Sequence, residues 1–450
     1  MKVTFYGAAH EVTGSCHRLS FSDKHFLFDC GMFQGSDFNE GRNNEPFPFA
    51  PSSIKAVLVS HAHLDHVGRL PKLVREGFSG PIYSTDATKE LALLVLRDAY
   101  QIMISDHEKF QTPILFSEAD ITETRARFVG VEYGVPVQLA TDVTAVWKDV
   151  GHIFGSAFIE LTAEGKTIAF SGDIGNHNVP ILKDTEPLGA VDVLLCESTY
   201  GDRLHEDIDT RRQLLLSLIR DGVKKGGTIM IPAFSIERTQ EILYELHTLS
   251  LHDKTLPRVP IYLDSPLSID ATAVFKRFPR YYDHEAAQAQ MLNDDFLNFP
   301  LLHLSYTREQ SKFINNVLSP KIIIAGAGMM NGGRILHHAR RYLSDPRSTL
   351  IIVGYQASGT LGRRLYDGMS SVKIFGDLIS VRCTIKAIGA LSAHADQKKI
   401  IDWIKKAKNI PKKVFCVHGE PAAATALADR LRQALSIETY VPDYGESAVI

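Results

Sequence analysis

At 450 residues the chain is longer than one hydrophobic core ordinarily serves, so two domains are expected. Apolar content of 44%, charged content of 22% and a net charge of −3 describe a globular protein without the global basic field that advertises nucleic acid. No stretch approaches the ~20 apolar residues of a membrane span, residues 1–10 lack a signal-peptide core, and the five cysteines form no Cys-x-x-Cys pair; a cytoplasmic chain with reduced thiols is expected, and the pattern argues against a disulfide frame or a thiolate zinc site.

From the N-terminus, residues 3–6, 15–19 and 25–29 read as strands separated by Gly, Ser and Asp. Asp29 closes the third, two residues before Gly31. Residues 54–59 are a β-branched apolar run that predicts a buried strand, and 67–74 predict a helix. Between them stands His61-Ala62-His63-Leu64-Asp65-His66, three imidazoles and one carboxylate in six residues, a density that no packing role requires. The cluster falls at a strand's C-terminal end, where α/β sheets bind ligands. In an extended stretch His61 and His63 point the same way and can share one ion, while Asp65 and His66 turn to another. Neutral imidazole and carboxylate oxygen suit zinc.

Residues 80–134 read as helical scaffold, with Ser117 and Asp120 spaced as a capping box and His107 and Glu108 solvated. Strands resume at Val143 and deliver His152 in a Gly-rich turn and Asp173 at a strand's end. Asp173, with two oxygens, could bridge both ions. A further apolar run ends at Glu197.

After Gly201 strands at 228–232, 259–263, 321–325 and 350–353 alternate with helical stretches such as 237–249, the pattern of a parallel, doubly wound sheet. Their end loops, among them Phe234-Ser235, Asp264-Ser265-Pro266 and Ala357-Ser358-Gly359-Thr360, suit phosphate or ribose contact. The Gly-rich run at 326–332 carries Asn331 where a dinucleotide fingerprint needs its third glycine, so no nucleotide cofactor is expected. Beyond Gly376, His394 and His418 each follow an apolar strand-like run. Candidate ligands thus occupy both ends of the chain and none the middle, which predicts one metal domain (1–204 and 377–450) split by an inserted domain (205–376) whose strand-end loops would roof the metals.

These residues resemble the metallo-β-lactamase superfamily and, within it, the β-CASP nucleases, over essentially the whole chain. Asp29 falls on that family's first motif, His61 to His66 on its second, His152 on its third and Asp173 on its fourth; Glu197, His394 and His418 fall on the three motifs of the β-CASP branch. Gly332-Gly333-Arg334 and residues 354–360 also look like that branch's inserted domain.

The resemblance implies an αββα sandwich with an inserted parallel α/β domain, and two Zn2+. His61, His63 and His152 would hold one, Asp65, His66 and His418 the other, with Asp173 bridging and Asp29 orienting a ligand. A histidine at the last motif goes with RNA in this family, so His418 implies a ribonuclease acting on single-stranded RNA, in which a zinc-activated water attacks phosphorus and leaves 5′-phosphate and 3′-hydroxyl ends. Asp65, Glu197, His394 and Asp29 would form the catalytic set, with His394 as general acid held by Glu197. Ser392, Ser358, Thr360, Arg238 and Arg364 are the candidate substrate contacts. Relatives pair through the C-terminal region, which implies a homodimer. The rival readings are a hydrolase of thioesters or other small esters on the same metals, and a non-catalytic scaffold subunit.

Overall fold

The computed structural model describes residues 1–35, 37–205, 210–354, 356, 359–389 and 392–450. Two units are present. One comprises Met1–His177, Lys183–Leu204 and His394–Ile450; the other Asn178–Leu182 and His205–Ala393.

In the first unit the strand pattern of period two is explicit. Along Val143–Asp149 alternate side chains are buried, so Val143, Ala145 and Trp147 face inward while Thr144, Val146 and Lys148 do not. Such strands build two seven-stranded sheets. In order, the first holds Ser447–Val449, Lys2–Phe5, His17–Phe21, Lys24–Phe28, Ile54–Leu58, Ile82–Thr85 and Phe128–Val131. The second holds Glu438–Tyr440, Lys413–Val417, Val193–Glu197, Lys166–Phe170, Ala157–Ala163, Val143–Asp149 and Val137–Ala140. Their inner faces share one core of Phe5, Phe28 and Leu58 with Trp147, Phe170, Leu195 and Phe415. Phe28 stacks on Phe170 with centroids 5.2 Å apart.

The outer face of the second sheet is equally apolar and is covered by helices. Ile400, Trp403 and Ile404 of Gln397–Lys405, and Leu427 and Leu431 of Pro421–Leu435, pack on Phe158, Leu194 and Val414. Helices Leu70–Arg75, Asp86–Phe110 and Glu118–Arg127 accompany the first sheet, the last with the predicted Ser117–Asp120 capping box. This is the αββα sandwich expected.

Chain direction positions the site. Lys166–Phe170, Val193–Glu197 and Lys413–Val417 are adjacent and parallel, as are Lys24–Phe28 and Ile54–Leu58. Each group of strands therefore ends together, and the loops that follow open at one edge of its sheet.

The second unit is an α/β domain around a six-stranded sheet ordered Leu302–Leu304, Ile261–Leu263, Lys321–Ala325, Thr228–Pro232, Thr349–Ile352 and Thr384–Ala387, with every pairing parallel. The two edge strands are too short for a sequence signal. Because Thr384–Ala387 pairs with Thr349–Ile352, this unit continues past the boundary read at 376. Helix Arg238–His247 runs on into a π-helical turn, Thr248–His252. No helix among the described residues is long and apolar enough to cross a membrane.

Candidate metal centre

The first unit gathers Asp29, His61, His63, Asp65, His66, His152, Asp173, Glu197, His394 and His418. Asp29 and His418 both adopt left-handed backbone, φ +57° and +50°, as the chain turns sharply at a strand's end. Gly31 permits the neighbouring loop to close: a Cβ there would stand 1.5 Å from the Asp65 carbonyl oxygen.

Two groups of donor atoms result. In one, His61 Nε2 lies 3.1 Å and His152 Nε2 3.3 Å from His63 Nδ1, and Asp173 Oδ2 is 3.4 Å from His61 Nε2 and 3.5 Å from His152 Nε2. In the other, His66 Nε2 is 3.2 Å from His418 Nε2, and Asp65 Oδ2 is 3.4 Å from His418 Nε2. Asp173 Oδ1 reaches this second group, 3.4 Å from His66 Nε2. One carboxylate thus gives one oxygen to each group.

The outward atoms of the rings are anchored. Ser60 Oγ donates to Asp29 Oδ2 at 2.8 Å and so has a lone pair left for His61 Nδ1–H at 3.0 Å. Asp29 Oδ2 lies 2.6 Å from His66 Nδ1 and, as a carboxylate, accepts from it. Thr199 Oγ1 donates to the His418 carbonyl and takes Nδ1–H of the same residue at 3.3 Å. In each case the contact to Nδ1 fixes the ring so that Nε2 faces the cluster.

Electrostatics complete the case for a cation. Burial drives His61 and His152 well below the ordinary imidazole range and His63 down to about 4, so all three are neutral with lone pairs converging. Burial would lower His66 too, yet Asp173, Asp29 and Asp65 raise it well above its usual value. The buried His152 Nδ1 has no hydrogen-bond partner, and Asp173 Oδ1 meets ring nitrogens of His66 and His418 at 3.4 and 3.5 Å. The neutral nitrogens of His61, His63 and His152, facing one another at 3.1 and 3.3 Å beside the buried Asp173 carboxylate, are a donor set that a positive ion between them would satisfy. The residues present fit metal ions.

Beside the first group stands His394, its ring centroid 4.6 Å from that of His152 and its Nδ1 3.3 Å from Glu197 Oε2. Burial works against an imidazolium here, but Glu197 outweighs it and carries His394 up to about 9.

Three domain families cover most of the chain: residues 12–211 match the metallo-beta-lactamase superfamily, 239–365 the Beta-Casp domain, and 378–442 the Zn-dependent metallo-hydrolase RNA specificity domain. Ribonuclease TTHA0252 of Thermus thermophilus is 40% identical to the chain, over 96% of each protein. The chain belongs to the β-CASP family.

Other proteins similar to this β-CASP chain include an RNase J-like protein of Methanocaldococcus jannaschii, 31% identical over 98% of both chains. Transcription termination factor FttA of Methanosarcina mazei is 29% identical over 98% of this chain and 70% of its own length. A crystal structure of a protein of unknown function from Enterococcus faecalis V583 shares the fold, with a TM-score of 0.57 at 15% identity over 100% of this chain and 99% of that one. The β-CASP chain is a metallo-hydrolase, and metal use follows from its family and its donor set.

The other sequence-predicted residues are distributed differently. Ser392, Thr360, Arg238 and Arg364 lie in the second unit. Ser392 is buried; Thr360 caps helix Leu361–Tyr366 by accepting from Arg363 N–H; Arg364 is exposed on that helix. Arg238, expected to guide a backbone, is buried and ion-paired with Glu241. Ser358 falls outside the described residues. Sequence reasoning missed Ser60 and Thr199, although Ser60 adjoins His61, Thr199 lies two residues after Glu197, and each has the hydroxyl needed to fix a ring.

Proposed function

We propose that this β-CASP chain is a two-zinc ribonuclease that hydrolyses phosphodiester bonds of single-stranded RNA. His61, His63 and His152 hold one zinc, Asp65, His66 and His418 the other, and Asp173 is shared. The observation that carries this reading is the His394–Glu197 pair, 3.3 Å apart beside the donor cluster, which gives the site a proton donor in addition to its ligands.

Bound there, zinc supplies Lewis acidity that polarises a phosphodiester and activates water near neutral pH. The chain's own residues do the rest. Asp29, Ser60 and Thr199 hold His66, His61 and His418 in the required tautomers. Glu197 accepts from His394 Nδ1–H, and His394 delivers its other proton to the leaving 3′-oxygen, so the products carry 3′-hydroxyl and 5′-phosphate ends. The substrate assignment is supported by a relative named as a ribonuclease and by the RNA specificity domain at 378–442. Five buried, unpaired cysteines fit a reducing compartment such as the cytoplasm. Exposed Tyr440, Tyr444 and Val449 fit a homodimer through the C-terminal region.

Zinc-loaded protein incubated with labelled RNA and, separately, with a panel of thioesters tests the reading. RNA fragments with 5′-phosphate ends are expected. Thioester turnover with RNA left intact would overturn it.

A further inference from the structure

The second unit contains another convergence of metal-ligating side chains. Helix Arg238–His247 ends at one imidazole, and the π-helical turn Thr248–His252 ends at the next. In a regular α-helix, residues five apart lie about 140° apart around the axis, too far to share a ligand. Here the Asp253 N–H reaches the Thr248 carbonyl at 2.9 Å, the five-residue span of a π turn, and such turns recur at functional sites. The turn returns His252 to the side of His247, with ring centroids 5.2 Å apart.

A carboxylate from a separate segment meets both rings. His247 Nε2 is 2.8 Å from Asp294 Oδ1, and His252 Nε2 is 2.8 Å from Asp294 Oδ2. The three donor atoms lie within 4.8 Å of one another. On one side the His247 ring packs edge-on against Phe299, which shields it from water. On the other a cleft of about 290 Å³, lined by Tyr244, Glu285 and Gln288, leaves room for water or a further oxygen ligand.

We propose that His247, His252 and Asp294 form a divalent transition-metal site of their own, with zinc the best-suited ion. Two imidazoles and one carboxylate with an open fourth position is a donor set that zinc accepts. Three side chains from two segments close on the ion, so binding pins the end of the π turn to the segment around Asp294. Two N–H groups donating to one carboxylate is the metal-free alternative, and it predicts no ion.

The test compares the full-length protein with His252→Ala and Asp294→Asn after chelator stripping and equilibrium dialysis against buffered zinc, with zinc per chain read by mass spectrometry. His252 is more than half exposed, so its truncation leaves packing intact. Each variant should bind about one zinc fewer than the parent, and added zinc should raise the parent's melting temperature more than theirs. Equal zinc content in all three proteins would overturn the proposal. Because the readout is a difference between parent and variants, it is independent of how many ions the first unit holds.

Discussion

His66 Nδ1 lies 2.6 Å from Asp29 Oδ2, and the opposite nitrogen of the same ring faces His418. Asp29 touches no other ring of the cluster among these contacts and is fully buried, yet it holds the His66 ring by its Nδ1. Asp29→Ala should therefore weaken metal binding by about 10–100-fold without removing a ligand. Competition against a chromophoric chelator measures this, and unchanged affinity would end the orienting role.

His394→Ala should keep its metal and lose about 10²–10⁴ in cleavage rate, the range a positioned general acid contributes. Glu197→Gln should fall between parent and His394→Ala, because the imidazole stays in place while its charge support goes. Metal analysis and single-turnover cleavage decide the matter. Parental rates in His394→Ala would make the acid assignment wrong.

Gly31→Ala drives a methyl to within 1.5 Å of the Asp65 carbonyl, a backbone atom that cannot swing aside. The loss should be about 1–3 kcal/mol, as for overpacking, with metal content reduced because Asp65 and His66 are displaced. Gly41→Ala, where an added Cβ meets nothing within 4 Å, is the control and should lose no stability. Equal denaturation midpoints for the two variants would refute the close-approach argument.

Asp149 lies three residues before His152, and burial pushes its carboxyl up to about 7. The folded chain then keeps a proton that the unfolded chain has released, so stability falls as pH rises from about 4 to about 7 and the penalty is complete above that. At about 1.4 kcal/mol per pH unit, the gain from Asp149→Asn should grow by about 2.6 kcal/mol between pH 5 and pH 8. Asn retains the oxygen that accepts from Gly151 N–H, 3.0 Å away. Urea melts at the two pH values check this, and a pH-independent difference would sink it.

The residues that sequence reasoning found share one property: each is a polar side chain interrupting an apolar run, as Asp173, Glu197 and His418 do, or sits in a density of histidine that packing cannot explain. Resemblance and spacing converge on them because a strand's end is visible in sequence. Side-chain direction is not. Arg238 reads as a free cation until the fold turns it onto Glu241, and the helix-capping role of Thr360 shows only in the fold. The His247, His252 and Asp294 cluster was invisible for a different reason, since a spacing of five fits neither helix nor strand and the carboxylate arrives from a distant segment. Leu302–Leu304 and Thr384–Ala387 escaped because three or four residues carry too little periodicity to read.

Glu197 is the last residue of Val193–Glu197 and His418 directly follows Lys413–Val417, its parallel neighbour, with Val417 in register with Glu197. The spacing of Glu197 and His418 is thus inherited from the strand pitch of about 4.8 Å, which acts as a ruler no loop can stretch. Fraying elsewhere should leave these groups in place, and amide exchange at their strands should proceed only through global unfolding.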